Sequence, residues 1–312
     1  MAKARPPMRI DRRRFLTISA AAMGAPLLAH AAPQAATWRG QALGTSVQLI
    51  LNHPDRARAD ALLRETAAEL RRLEAIFTLY RADSDLSRLN RDGWLLAPPP
   101  ELVEALELAR KAHRATGGRF DPSIQPLWLA HAAGDAAAIA RARDLVGYDR
   151  VRISRDRILL RPGMALTLNG IAQGAITDRI TALLRAGGAE HTLVDMGEIR
   201  AIGGKTAREP WRIALAGGGE ALLADRALAT TEPAGFTFDA AGRLPHLIDP
   251  ATGTARAEWA RLSVLAESAG LADALSTGLC LAPAAAIRAA LAALPGVEVR
   301  ALDGRGHETR FA

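Results

Sequence analysis

The chain has 312 residues, with 40 Lys and Arg against 33 Asp and Glu, 49% hydrophobic residues, 4% aromatics and one cysteine. This composition excludes a disordered or collagen-like chain and leaves a globular protein long enough to bury a large core. The formal charge of +7 is concentrated in the first residues and does not describe the whole chain.

Met1 to Arg14 is basic, Phe15 to Leu28 is an apolar run of 14 residues, and Ala29-His30-Ala31 places small residues at both positions of an A-x-A cleavage site. That is the plan of a secretory signal, and the run is short of the roughly 20 residues a helix needs to cross a bilayer. Arg12-Arg13-Arg14-Phe15-Leu16 has the form of a twin-arginine signal, which exports folded proteins. Without residues 1–31 the balance falls to 34 basic against 32 acidic residues, interleaved along the chain. Nucleic acid is therefore not an expected partner. Cys280 has no partner for an intrachain disulfide, and no cysteine closes the leader. The expectation is a soluble periplasmic protein that is not a lipoprotein, with a mature unit of residues 32–312.

In chain order, Gly44 to Leu51 alternates as a strand, and Ala57 to Phe77 carries apolar residues at helical spacing. Ser84 or Asp85 caps a short segment that ends near Asn90, and Glu101 to Thr116 reads as a second long helix after Pro98-Pro99-Pro100. A third helix is expected over Asp135 to Leu145, then short strands at Val151 to Ile153 and Ile158 to Leu160. Leu166 to Leu168 reads as a strand leading through a glycine turn into a helix from Ile171 to Leu184. Further strands are expected at 192–196, 199–202, 211–215 and 261–265. Helices follow at 271–281 and 284–294, and two strands close the chain at 297–302 and 307–311. The fold class is α+β, a mixed or antiparallel sheet core with flanking helices, in one compact unit with room for two lobes.

Three segments hold residues suited to chemistry. Asn169-Gly170-Ile171-Ala172-Gln173-Gly174 lies where a helix starts, and backbone N–H groups there suit phosphate; a tight connection alone would also explain it. His246 and Asp249, three apart in His-Leu-Ile-Asp-Pro-Ala-Thr-Gly, could be a base and its anchoring acid, or a surface imidazole beside an Asp that caps the turn. Asp273 and Thr277, four apart on a helix, project two oxygens from one face, which suits Mg²⁺ completed by a backbone carbonyl and substrate phosphates. A helix-dipole partner and a hydroxyl bonded back to a carbonyl would fit the same spacing. The segments around Ser84 and Phe120-Asp121-Pro122 demand no more than a helix cap and a turn.

Their order along one chain is more specific than any of them singly. Gly44-Thr45, Tyr80 with Asp83 to Asn90, Gly118 to Ser123, Asn169 to Gly174 with Asp178, Val194 to Ile199, His246 to Gly253 and Ala272 to Thr277 together resemble the ApbE family of FAD:protein FMN transferases. The resemblance spans about Gly44 to Leu281. The wordings Val-Asp-Met-Gly-Glu-Ile-Arg and Leu-Asn-Gly-Ile-Ala-Gln-Gly, with the leader, resemble the branch linked to maturation of the nitrous-oxide reduction system.

This resemblance implies Mg²⁺-dependent transfer of the FMN half of FAD to a Ser or Thr hydroxyl of an exported or membrane-bound flavoprotein, with release of AMP. The acceptor would carry a Ser/Thr-Gly-Ala-Thr-like motif, as in a membrane flavoprotein of nitrous-oxide reduction. It implies metal binding by Asp273, Thr277 and a main-chain oxygen near Ala172, a base at His246 and a role for Asp249 in the adjoining turn. It also implies that Ser84, Leu86, Asn90, Asp121, Gly170, Ile171 and Thr231 hold FAD. The chain departs from the family pattern at Thr167, Asn169 and Gln173, where many members have Asp, Gly and Lys. Pro245 replaces a His, Ala251 replaces an Arg, and Glu232 follows Thr231 where Ser-Gly is usual. Two basic phosphate contacts are thereby lost. Those losses keep two other functions open, an exported FAD carrier without transfer and a metal-dependent FAD diphosphatase in which water replaces the acceptor hydroxyl.

Overall fold

The computed structural model describes residues 36–312 apart from 240, 242 and 243, so the leader read over residues 1–31 lies outside the described residues. Strands β1 (Ala36–Ala42) and β2 (Thr45–Asn52) form a hairpin that leads into helix α1 (Arg56–Phe77). Asp55 caps α1 by accepting the N–H groups of Ala57 and Arg58. Buried positions Ala59, Leu62, Thr66, Leu70, Leu73 and Ile76 recur every three or four residues, so one face of the helix meets the core. Helix α2 (Asp85–Asp92), strand β3 (Trp94–Leu96) and helix α3 (Pro100–Ala115) follow, α3 opening on a proline whose missing N–H costs nothing in a first turn. Next come α4 (Gln125–Ala133), α5 (Ala136–Arg143), β4 (Arg152–Ile153) and β5 (Arg157–Leu159).

Helix α6 (Ala172–Ala186) precedes five strands: β6 (Glu190–Asp195), β7 (Ile199–Ile202), β8 (Trp211–Ala214), β9 (Glu220–Leu223) and β10 (Ala227–Thr231). The chain ends with β11 (Arg261–Ala266), α7 (Ala269–Leu279), α8 (Ala284–Leu291), β12 (Glu298–Leu302) and β13 (Glu308–Phe311). The main sheet has the order β1-β2-β6-β7-β10-β11-β12-β13, every neighbouring pair antiparallel. The expected α+β class with an antiparallel core is what is observed. Among the described residues no helix is long and apolar enough to cross a membrane.

Both faces of the sheet are covered. On one, α6 lies against β6 and β7 and α7 against β10 and β11, with α1 and α3 packed behind them. On the other, the β8–β9 hairpin closes a smaller core of Trp211, Ile213, Ala221 and Leu223 against Leu193, Leu228 and Leu265. Alternation along β10 follows from the pleat: Leu228 faces the hairpin while Ala229 faces the helices. All six residues of β11 are buried because it has a packed layer on each side.

One expectation changes. Leu166 to Leu168 is not a strand; the segment pairs with no strand, and the Asn90 side chain takes that place. Asn90 donates to the Leu166 carbonyl at 2.8 Å and accepts its N–H at 2.7 Å. Strands β1, β3, β9 and β10 and helix α4 were not read from the sequence. The wording Ala-Leu-Ala-Thr-Thr of β10 has weak strand propensity, and its central place in the sheet overrides that.

Candidate active site

A cleft opens where the start of α6, the inner face of α7, the end of β10 and the segment around His246 meet. Two glycines allow the approach. A Cβ on Gly170 would lie 2.8 Å from the Thr277 hydroxyl, and one on Gly174 would lie 2.3 Å from the Ala269 carbonyl oxygen, so larger residues would push the helices apart. Asp178 of α6 then bolts the pair together. It accepts the Ser268 hydroxyl at 2.7 Å and the N–H groups of Ala269 and Gly270 at 2.9 and 3.0 Å, and it pairs with Arg200. The free first-turn donors of α7 are satisfied by a side chain from α6, which sets the position of one helix against the other.

This crossing presents Asp273 and Thr277 to the cleft. Asp273 is 4% exposed, and its Oδ2 accepts the N–H of Gly174 in the first turn of α6 at 3.1 Å. Thr277, one turn later, faces the cleft beside Gly170. The sequence placed the neighbouring main-chain oxygen near Ala172. Ala172 is 2% exposed at the first position of α6, and Gly170, two residues before it, lines the cleft beside Thr277.

Two more carboxylates stand near Asp273 that sequence reasoning did not assign. Glu198 follows the turn after β6 and accepts the Thr230 N–H at 3.3 Å, and Asp195 accepts the Gly197 N–H at 3.1 Å. Burial pushes the Asp195 carboxyl up to about 6. It also raises Glu198 well above the ordinary carboxylate range, with the charges of Asp273 and Asp195 adding to the effect. Asp273 is raised by burial and by the charge of Asp178, opposed by the Gly174 N–H. No Lys or Arg offsets these shifts, so the interior holds concentrated negative potential. A divalent cation matches that deficit, and an all-oxygen donor set suits a hard one. Among the described residues no three His, Cys, Asp or Glu side chains converge into a cage. A cation held by Asp273 would thus be completed by the Thr277 hydroxyl, main-chain oxygen and substrate phosphate, which is how Mg²⁺ is commonly held.

His246 also lines the cleft. Its Nδ1 donates to the Phe236 carbonyl at 3.0 Å, which leaves Nε2 as the proton-accepting nitrogen. Burial lowers its pKa, against smaller opposing effects of the Phe236 and Pro233 carbonyls, so the ring is neutral near pH 7. The expected base and anchoring-acid pair does not form. Asp249 is buried and its Oδ1 accepts the N–H groups of Ala251 and Thr252 at 3.0 and 3.4 Å. The carboxylate is committed to closing its own Asp-Pro turn, and a carbonyl orients the histidine instead.

The other expected residues fall into two groups. Asp121, Gly170 and Thr231 line the cleft. Asp121, raised by burial, takes the Ser123 N–H and hydroxyl and the Tyr148 N–H, while Thr231 shares a 2.7 Å hydrogen bond with Ser276. Ser84, Leu86, Asn90 and Ile171 do not line it. Ser84 caps α2, Leu86 and Ile171 are wholly buried in the core, and Asn90 clasps Leu166. Gln173 donates to the Thr45 hydroxyl at 2.8 Å and ties α6 to β2. Arg119 and Trp128 line the cleft and were not singled out from the sequence; a lone Arg or Trp beside a turn carries no local signal.

A family model described as the ApbE family matches residues 43–301. The chain is 27% identical over 271 residues to an FAD:protein FMN transferase of Haemophilus influenzae, covering 77% of this chain and 78% of that one. It is 28% identical over 278 residues to one of Treponema pallidum, covering 78% and 77%. Among solved structures, the apo flavinyl transferase ApbE of Pseudomonas stutzeri superimposes with a TM-score of 0.76 at 25% identity, covering 89% of this chain and 94% of that one. With the family model matching most of the chain and the antiparallel sheet agreeing with these structures, the chain belongs to the ApbE family.

Proposed function

We propose that the protein transfers the FMN part of FAD to a Ser or Thr hydroxyl of an acceptor flavoprotein through a phosphoester bond, releasing AMP. The observation that carries this reading is that Asp273, Thr277 and the Gly170 backbone face the same cleft as a neutral, carbonyl-oriented His246. The acceptor hydroxyl attacks the FMN-side phosphorus, a new P–O bond forms, and the bond from that phosphorus to the bridging oxygen breaks. AMP leaves with that oxygen. The hydroxyl proton goes to Nε2 of His246 and from there to solvent, so one proton is released per turnover. Mg²⁺ held by Asp273 and Thr277 would neutralise charge on the diphosphate and its leaving group. The Gly170 turn lets the phosphates approach the backbone, and Asp178 holds the two helices at the spacing this requires.

The leader adds export by a twin-arginine route to this reading, with a periplasm-facing acceptor such as a flavoprotein of nitrous-oxide reduction. Intact mass of an acceptor domain bearing a Ser/Thr-Gly-Ala-Thr-like motif, after incubation with the protein, FAD and Mg²⁺, is the test. A gain equal to FMN less water that disappears with chelator supports transfer. AMP with free FMN and unmodified acceptor would instead establish the diphosphatase, and FAD bound without AMP the carrier.

A further inference from the structure

Five charged side chains line the cleft besides His246: the carboxylates Asp121, Glu198, Glu232 and Asp273, and a single guanidinium, Arg119. A dinucleotide diphosphate brings two more negative charges into this surrounding. Arg119 is partly buried, and its hydrogen bond is from Nη1 to the Thr116 carbonyl at 3.1 Å. Among the described residues no carboxylate lies within ion-pair distance of it. A guanidinium with spare donors and no counter-ion, at the edge of an acidic cleft, is built to receive an anion.

Its backbone is held firmly. The N–H of Phe120 donates to the Thr116 hydroxyl at 3.0 Å, and Nδ1 of His113 meets the Phe120 carbonyl at 2.8 Å. Phe120 itself is wedged between Gly170 of the glycine turn and Gly278, the residue after Thr277. The loop bearing Arg119 therefore rests on the glycine turn and on α7, both of which line the cleft, and Arg119 is itself one of the residues lining it. Pre-positioned donors lose less entropy on binding than mobile ones.

We propose that Arg119 binds the diphosphate of the dinucleotide and supplies positive charge to a cleft whose other charged residues, His246 apart, are carboxylates. This rests on the transferase reading of the site. The test is equilibrium binding of FAD and of phosphate-free riboflavin to the full chain, for the unaltered protein, Arg119→Lys and Arg119→Met, at two salt concentrations. Arg119→Met should weaken FAD about tenfold to a hundredfold and leave riboflavin unchanged. Arg119→Lys should fall between, since a point charge replaces a two-pronged donor, and the salt dependence should shrink in Arg119→Met. FAD bound equally well by Arg119→Met overturns the inference, as does equal weakening of riboflavin, which would mean that Arg119 only shapes the pocket. A raised KM for the acceptor with unchanged FAD affinity also overturns it, because the anion met would then be the acceptor's. Failure of the unaltered protein to bind FAD overturns the transferase reading itself. Thermal melts of each variant guard against misfolding, and the salt titration of Arg119→Lys keeps the test alive if Arg119→Met does not fold.

Discussion

Asp249 and Asp273 are both buried and both stand in segments shared with flavin transferases, yet their surroundings give them opposite duties. Asp249 accepts two backbone N–H groups of its own turn and is locally satisfied. Asp273 accepts one N–H from a different helix and feels the charges of Asp178 and Glu198, with no cation beside it. A carboxylate that completes a turn serves the fold. One buried against other carboxylates raises the folding cost and is retained for what it binds.

The sharpest way to break this contrast is Asp273→Asn, which should cut FMN transfer by about a thousandfold through loss of several kcal/mol of charge stabilisation. The same change should raise the melting temperature of chelated protein, because it removes an uncompensated buried charge. Unchanged turnover would end the metal assignment. Next in size is Gly174→Ala, whose Cβ would meet the Ala269 carbonyl at 2.3 Å. Urea unfolding should show about 3 kcal/mol lost, at the upper end for overpacking, with turnover falling too because the α6–α7 crossing opens.

The pH dependence sharpens the comparison further. In the folded chain the Asp195 carboxyl titrates at about 6 rather than the usual 3.8, so the native state keeps a proton that the unfolded chain loses. Its contribution is therefore neutral below about pH 4, becomes steadily more destabilising between about pH 4 and 6, and levels off above that at about 3 kcal/mol. Asp273 and Glu198 act in the same direction. Melts of chelated protein from pH 4 to 8 should show this loss, and Asp195→Asn should flatten the profile; an equally steep profile in that variant would reject the assignment. Mg²⁺ should restore stability at the alkaline end.

The smallest effect is expected at the other aspartate. Asp249→Ala should cost about 1 kcal/mol of unfolding free energy for its lost turn hydrogen bonds and lower turnover less than tenfold. A loss as large as that of His246→Ala would show that Asp249 acts in the chemistry after all.

Local signals carried much of the architecture. The three-and-four spacing in α1, Pro100 opening α3, and Asp135 accepting the Ala138 N–H ahead of α5 are all short-range features, and these elements lie close to their expected bounds. The site was legible in part: Asp273, Thr277, Gly170, Asp121, Thr231 and His246 all line the cleft. Asn90 shows why the rest was not. Its partner Leu166 is 76 residues away, and nothing in the heptapeptide around it announces a clasp to an extended segment.

The amino-acid sequence by itself determined most of the helices and the likeness to one family, because capping, periodicity and ordered motifs act over a few residues or survive as words along the chain. Only the tertiary structure decided that Asp249 belongs to a turn, that Gly170 lies beside Thr277, and that Glu198 and Arg119 share the cleft with Asp273. The physical reason is that burial, charge coupling and close approach are properties of pairs brought together by folding, and residues far apart in sequence carry no local record of meeting.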